Sequence, residues 1–378
     1  MSKALEMLDS LGLGGVIELA KEPEAPAKAE PLTPLTKAEK KKAAASVSKS
    51  LNKQYGTTLL QSMGKRVGTR LPAYPTNLIS VDEELIGCGG VPKGRIIEIF
   101  GPEASGKTTI SLHIVAEVQK AGGMAAYIDA EHSLDPSYAA RIGVNVDELL
   151  ISQPDYGEQS LEVAEALIEA RAVDIIVIDS VSALVPKAEL DGDMGDSFMG
   201  LQARLMSQAM RKLVGLCNKS GITLIFINQI REKLGVMFGD PETTTGGRAL
   251  KFYSSLRIKI RQLSKTDGGI IEEDGVRVGQ RCRLTAVKNK ASGAPYSTTD
   301  ITLMYRSGWD KEADLVDYAV KVGVVEDVGK GWFSYNGERV RKNALTEGEN
   351  FGKLMTVVKK ALQDKRENDA KKEQEVKI

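Results

Sequence analysis

Gly101-Pro-Glu-Ala-Ser-Gly-Lys-Thr-Thr109 fits the pattern G-x-x-x-x-G-K-[ST] of a phosphate-binding loop. Its flanks agree with that reading. Arg95-Ile-Ile-Glu-Ile-Phe100 reads as a buried strand, and Thr108–Lys120, with Ile110, Ile114, Ala116 and Val118, reads as a helix. Gly101 and Gly106 let the backbone curl so that its N–H groups point inward, and a helix N-terminus adds positive potential there. Lys107 is expected to reach the β- and γ-phosphates of a nucleotide, and the Thr108 hydroxyl to bind Mg²⁺. The rest of the loop (Pro102, Glu103, Ala104, Ser105 and Thr109) is expected to line the same nucleotide.

The chain has 378 residues, 42% of them hydrophobic and 27% charged, a globular composition with room for two or three domains. No apolar run approaches the length of a membrane span, so no membrane partner is expected. The N-terminus has no secretory pattern, and Glu6 and Asp9 argue against a transit peptide. Lys+Arg and Asp+Glu are 51 each, so net charge is +0 and gives no hint of nucleic acid. Any such binding must come from local clusters or backbone donors. Cys88, Cys217 and Cys282 stand in no metal spacing and read as reduced cytosolic thiols. His113 and His132 are the only histidines, which argues against histidine-based metal chemistry.

In chain order, residues 1–35 read as a flexible tail and linker rich in Pro, Ala, Glu and Lys. A short docking peptide around Leu5–Leu13 is the alternative. Thr36–Gly64 reads as a helix, with Thr36 and Glu39 as a capping box and an apolar face of Val47, Leu51, Tyr55 and Leu59. Residues 36–68 thus form a helical segment whose apolar face needs something to pack on. From residue 69 to about 310 strands and helices alternate, the signature of an α/β core with a mostly parallel sheet. Its strands are expected at Met124–Asp129, Asp174–Ser180 and Ile222–Asn228. Glu158–Ala170 and Phe198–Cys217 read as helices, the latter with Phe198, Leu201, Leu205, Ala209, Leu213 and Leu216 on one side. Leu250–Gln262, Arg277–Lys288 and Tyr296–Tyr305 read as later strands, antiparallel because no helix-length crossovers separate them. Residues 311–378 read as a small α/β appendage. It has a helix at Asp310–Val322, a hairpin turning at Asn336-Gly337, a helix stripe from Leu354 to Leu362, and an exposed or frayed charged end from Asp364.

Several residues sit where chemistry is expected. Asp179 ends an apolar strand, at the edge where such sheets bind ligands, and beside a phosphate loop such an acid holds Mg²⁺. Glu131, just past another strand end, is favoured over Asp129 as the carboxylate that orients the attacking water. Gln229 can hydrogen-bond a γ-phosphate and report its loss to the long Ile230–Gly247 loop. Glu189–Gly200 is a second loop. Its acids speak against phosphate, and it lacks the terminal Glu of a calcium loop.

These residues together resemble the bacterial RecA recombinase family. The resemblance is carried by the phosphate loop, Ile128-Asp-Ala-Glu-His-Ser-Leu-Asp-Pro136, Ile178-Asp-Ser180, Met206-Ser-Gln-Ala-Met-Arg-Lys-Leu213, Phe226-Ile-Asn-Gln-Ile230, Gly235–Gly247 and Val287-Lys-Asn-Lys290. It runs from about Lys49 to about Val340. It implies a DNA-dependent ATPase that forms a homo-oligomeric helical filament on single-stranded DNA, pairs it with a homologous duplex and exchanges strands. The helix near Val47–Gly64 would pack on the adjacent subunit. Glu131 matches the catalytic glutamate and Gln229 the γ-phosphate sensor. Lys288 and Lys290 match lysines that reach a neighbour's ATP. Asp135, Tyr138 and Tyr305 match residues of the nucleotide site. The two loops match DNA-binding loops. Met199 and Leu234 would wedge between base triplets, and Ser207, Arg211, Gly246 and Gly247 would contact phosphates, largely through backbone N–H groups. Gly200, Arg204, Arg231, Gly235 and Arg248 belong to the same interface.

Departures from the family are an extended N-terminal tail, Arg248 in place of the usual Asn, and a C-terminal tail of mixed rather than acidic charge. They would suit a viral or diverged member, acting in the bacterial cytoplasm. The competing readings are a ring-forming helicase motor and a filament scaffold that uses ATP only as a switch. Glu131, Lys288 and Lys290 favour turnover.

Overall fold

The computed structural model describes residues 34–56, 59–60, 71–193, 196, 198, 200–232, 242–291 and 295–375. The chain divides into two units, Met1–Thr69 and Arg70–Ile378. In the first, α1 spans Lys37–Tyr55. The Thr36 hydroxyl accepts from Glu39 N–H while the Glu39 carboxylate accepts from Thr36 N–H, a closed capping box. The helix ends sooner than its periodicity predicts. Gly56 adopts a left-handed conformation, and Asn52 Oδ1 then accepts the N–H groups of Leu59 and Leu60. Within this unit α1 buries no residue, and Val47 and Tyr55 are exposed. The expected docking peptide lies outside the described residues.

The second unit begins with β1 (Ala73–Tyr74) and β2 (Val91–Pro92), then β3 (Ile96–Gly101), α2 (Lys107–Lys120), β4 (Ala125–Asp129), α3 (Pro136–Ile142) and β5 (Leu150–Ser152). It continues with α4 (Gly157–Ala170), β6 (Ile175–Asp179), α5 (Lys187–Leu190), α6 (Leu201–Ser220), β7 (Thr223–Glu232), β8 (Glu242–Thr244), α7 (Ala249–Tyr253) and β9 (Leu256–Gln262). β10 (Ile270–Glu273), β11 (Val276–Asn289), β12 (Thr298–Met304) and β13 (Gly308–Trp309) complete the main sheet. Its order is β13-β12-β11-β9-β3-β7-β6-β4-β5. The stretch from β9 to β5 is parallel, and β11, β12 and β13 are antiparallel.

The parallel strands are apolar almost throughout because both faces are covered. Ile97, Ile99, Tyr127 and Val177 meet α2 on one side, while Ile96, Ile128, Ile178 and Phe226 meet α4 and α6 on the other. Two expectations about the later strands fail. Leu250–Tyr253 forms a helical turn, closed by Ser254 Oγ donating to Leu250 O at 2.6 Å, and the strand starts only at Leu256. That strand, β9, runs parallel to β3, Ile97 opposite Leu256, so the crossover from β7 is made by the loop and α7. The buried face of α6 is Met206, Ala209, Met210, Leu213 and Cys217. Phe198 precedes the helix, and Leu201 and Leu205 are half-buried at its edge. All three cysteines are buried free thiols. Burial pushes Cys217 up to about 12 and Cys282 up to about 11.

The C-terminal lobe holds α8 (Lys311–Lys321), a meander of β14 (Glu326–Gly329), β15 (Trp332–Tyr335) and β16 (Glu338–Arg341), α9 (Lys342–Thr346) and α10 (Glu349–Glu375). Asn336 and Gly337 both take positive φ, as a tight two-residue hairpin turn requires. β14 was not foreseen, its four residues all being exposed and without alternation. Of the two expectations for the charged end after Asp364, exposed or frayed, the first holds: the helix continues to Glu375 and residues 364–368 are exposed. Leu315, Val316, Tyr318, Leu354 and Val358 form the lobe's core together with Ile79 of the preceding segment.

That junction carries a buried acid. Asp314 on α8 accepts from the backbone and hydroxyl of Ser80, and burial pushes its carboxyl up to about 6. A folded-state value above the ordinary 3.8 means that the folded protein holds the proton more tightly than the unfolded chain does. The contribution is complete below the ordinary value and is lost as pH rises through about 6. The urea midpoint of wild type, measured against Asp314→Asn, should therefore fall as pH is raised from about 4 to about 6; a pH-independent difference would contradict this.

Candidate functional site

Strand register builds the site. In the parallel pair β3–β7, Gly101 stands opposite Gln229, and in the pair β4–β6, Asp129 stands opposite Asp179. The C-terminal ends of all four strands therefore share one edge of the sheet, where open α/β sheets bind ligands.

The Gly101–Thr109 loop leaves β3 at that edge and feeds into α2. A side-chain carbon on Gly101 would lie 2.3 Å from Ile260 O, and one on Gly106 would lie 2.8 Å from both Leu303 and Trp309. Gly106 also has φ +89°, so glycine is required there. The resulting cradle opens on a pocket of roughly 280 Å³ lined by Ala104, Ser105, Gly106, Lys107, Thr108, Thr109, Tyr138, Leu303 and Tyr305. Pro102 and Glu103 stand exposed at the loop's crest. Lys107 is buried, and its Nζ donates to Pro102 O at 2.6 Å. Burial pulls its pKa down, against the opposing charges of Asp179, Glu131 and Glu103.

Thr108 Oγ1 donates to Asp179 Oδ2 at 2.7 Å, and the Tyr127 hydroxyl donates to the same oxygen at 2.6 Å. Burial holds the Asp179 carboxyl above the usual carboxylate range, with the two hydroxyls opposing. A curled backbone with no room for side chains, a buried lysine, and a hydroxyl–carboxylate pair at the helix start suit a magnesium–phosphate group. On the other wall, Thr109 Oγ1 and the Tyr138 hydroxyl are 2.9 Å apart. Asp135 lies outside the pocket lining; its carboxylate caps α3, accepting from Ser137 N at 2.8 Å.

The two acids after β4 have different surroundings. Asp129 is buried and accepts from Ser133 N, Leu134 N and Gln153 Nε2 at 3.1–3.2 Å, so it shapes the turn. Glu131 is exposed, and its Oε1 accepts from Gln229 Nε2 at 3.1 Å and from the Ser180 hydroxyl. Next to Gln229, buried Asn228 accepts from Thr245 Oγ1 at 2.5 Å and donates to Glu98 Oε1 at 2.9 Å. Glu98, fully buried, pairs with Arg257. Sequence reasoning missed Asn228 and Glu98. Their signal was a lone polar residue inside an otherwise apolar strand, which demands a buried partner.

The glycine pair packs on α6. A carbon added to Gly246 would meet Val181 at 2.7 Å and Met206 at 3.3 Å, and one on Gly247 would lie 2.8 Å from Ala203. Ser207, whose hydroxyl donates to Ala203 O at 2.7 Å, follows one turn later. Arg204, Arg211, Arg231 and Arg248 are exposed, and Gly200 caps α6 at φ +82°. Met199, Leu234 and Gly235 lie outside the described residues. Lys288 and Lys290 are absent from the pocket lining. Lys288 Nζ instead donates to Lys251 O at 2.6 Å and Phe252 O at 2.8 Å, capping α7. Burial, with the Lys290 and Arg257 charges adding, pulls it down to about 8. Lys290 is exposed.

The family model described as RecA N-terminal domain matches residues 42–310. The chain is 53% identical over 299 residues to Protein RecA of Bacillus velezensis, covering 78% of this chain and 84% of that protein. It is 52% identical over the same length to Protein RecA of Bacillus subtilis, with the same coverage. To Protein RecA of Staphylococcus aureus it is 52% identical over 302 residues, covering 80% and 85%. With more than two thirds of its length matched at this level, the chain belongs to the RecA family of ATP-hydrolysing DNA recombinases.

Proposed function

We propose that this protein binds ATP with Mg²⁺ at the Gly101–Thr109 loop, assembles as a helical filament on single-stranded DNA in the bacterial cytoplasm, and pairs that strand with a homologous duplex for exchange. The observation that carries the nucleotide half is the single oxygen of Asp179 shared by Thr108 and Tyr127 at the mouth of the glycine cradle. Thr108 and Asp179 would hold Mg²⁺, which would supply charge neutralisation to the bound triphosphate. Lys107 exchanges the Pro102 carbonyl for phosphate oxygen. Tyr138 and Tyr305 flank the base, with Asp135 beside them. Glu131 orients water for attack on the γ-phosphate.

The Gln229 amide, now on Glu131, moves to the γ-phosphate when a triphosphate is bound. Its neighbour Asn228 hydrogen-bonds Thr245, so that change reaches the Gly246–Gly247 backbone, which packs on α6, and Arg248 at the start of α7. DNA phosphates are held there by backbone N–H groups together with Ser207, Arg204, Arg211 and Arg231, while Met199 and Leu234 separate base triplets, flanked by Gly200 and Gly235. Base pairing supplies specificity; the protein supplies geometry. In the filament α1 packs on the adjacent subunit, residues 36–68 serve oligomerisation, residues 69–310 the motor and DNA loops, and residues 311–378 an accessory lobe. Lys288 and Lys290 act on the neighbour's ATP as cations supplied in trans.

Purified protein should exchange strands between a homologous duplex and a single strand only when ATP is supplied; exchange that needs no nucleotide, or none under any nucleotide, counts against this function. Glu131→Gln should cut DNA-stimulated hydrolysis by roughly 10²–10⁴-fold while filaments on DNA persist under electron microscopy. Hydrolysis at the wild-type rate would remove Glu131 from the mechanism. Lys288→Ala and Lys107→Ala subunits, each inactive alone, should regain part of the hydrolysis when mixed, because some interfaces then join two intact halves. Verified mixed filaments without recovery would argue that Lys288 does not act across the interface.

A further inference from the structure

Among the residues around the pocket, one buried side chain has no place in the mechanism above. Gln280, on β11, is 2% exposed. Its Nε2 donates to Ala104 O at 2.9 Å and to Cys282 Sγ at 3.5 Å. Its Oε1 accepts from Arg277 Nη2 at 3.0 Å and from the Tyr305 hydroxyl at 3.3 Å. The amide orientation follows from its partners. A guanidinium can only donate and a carbonyl can only accept, so a flipped amide would set donor against donor and acceptor against acceptor.

The two ends of this amide touch two walls of one pocket. Ala104 is in the phosphate loop and holds φ +55°, an unfavourable conformation for a residue with a side chain. Tyr305 is in the opposite wall, and Arg277 lies 5.6 Å from its ring centroid. Cys282, two residues on and facing the same side of the strand, leans on Ser105 O at 3.8 Å. β11 thus runs beneath the loop and presents one amide to both walls.

We propose that Gln280 is a positioning residue that fixes the Tyr305 wall in register with the phosphate loop, so that base and phosphates of a nucleoside triphosphate are gripped together. This rests on reading the Gly101–Thr109 pocket as the nucleotide site. Without Gln280 the loop still rests on Cys282 under Ser105. The loss therefore falls on ligands that span both walls.

The test is calorimetric titration of the full chain with ATP and with inorganic tripolyphosphate, each with Mg²⁺. Gln280→Leu should raise the Kd for ATP roughly tenfold and that for tripolyphosphate much less, so that ATP's preference shrinks. In a Tyr305→Phe background the same change should cost less than in wild type, because the two side chains act through one bond. Equal losses for both ligands, multiplicative effects of the two substitutions, or an unchanged Kd for ATP would each overturn the inference. Should leucine unfold the chain, Gln280→Glu, which keeps the acceptor for Arg277 and Tyr305 and removes the Nε2 donor to Ala104 and Cys282, serves in the same titrations with the same expected loss of preference. Lys107→Ala separates this inference from its foundation. If it binds ATP as wild type does, the nucleotide site itself is misread and this inference goes with it. If it loses ATP while both Gln280 variants bind normally, only the role of Gln280 falls.

Discussion

One carboxylate oxygen ties the C-terminal edge of the parallel strands together. Asp179 Oδ2 accepts hydrogen bonds from Thr108 at the start of α2 and from Tyr127 inside β4, while its own backbone closes β6. Burial disfavours the charged form, and the two hydroxyl donors offset that cost. Removing either would leave a buried acceptor under-served, which typically costs more than one hydrogen bond contributes. The arrangement is possible because β4 and β6 are paired in register, with Tyr127 opposite Val177 and Asp129 opposite Asp179. A slip of one residue would turn every one of these side chains to the other face.

From that edge a set of contacts leads away from the Gly101–Thr109 loop. Glu131 meets Gln229, Asn228 meets Thr245, and Gly246 rests on Met206 of α6. Glu98 and Arg257 anchor Asn228 from below, so its amide has little freedom to turn. The Gln229 side chain is half-buried and bonded through an exposed carboxylate. The buried member and the half-buried member of the path are thus adjacent residues of β7, one facing the core and the other Glu131, as alternation along a strand dictates.

The α/β class and the parallel core were legible because buried strands and amphipathic helices alternate, and because the phosphate loop fixes which strand end faces the ligand. Strand direction was less so. Nothing in Leu256–Gln262 distinguishes a strand parallel to β3 from one antiparallel to it, since alternation carries no sense of direction. Short elements also escaped. Leu250–Tyr253 is apolar enough to read as strand, and only Ser254 closing onto Leu250 makes it a turn of helix. At the site, Leu303 and Gln280 were missed because each is a buried position in an alternating strand, and what they touch depends on how β11 and β12 pass beneath a loop far away in the chain. Lys288 was legible as a candidate, but its capping of α7 was not, because the carbonyls it meets belong to a helix the sequence did not announce.

The burial of all three cysteines has a practical consequence. Cys217 and Cys282 are inaccessible and held above the ordinary thiol pKa, so they offer almost no thiolate to an alkylating reagent at neutral pH, and Cys88 is shielded by burial. A single surface cysteine introduced elsewhere would therefore take a maleimide dye well ahead of the three buried thiols. Fluorescence reporters could be placed without first stripping the molecule of its own sulfur, and any labelling of the unaltered chain would register unfolding.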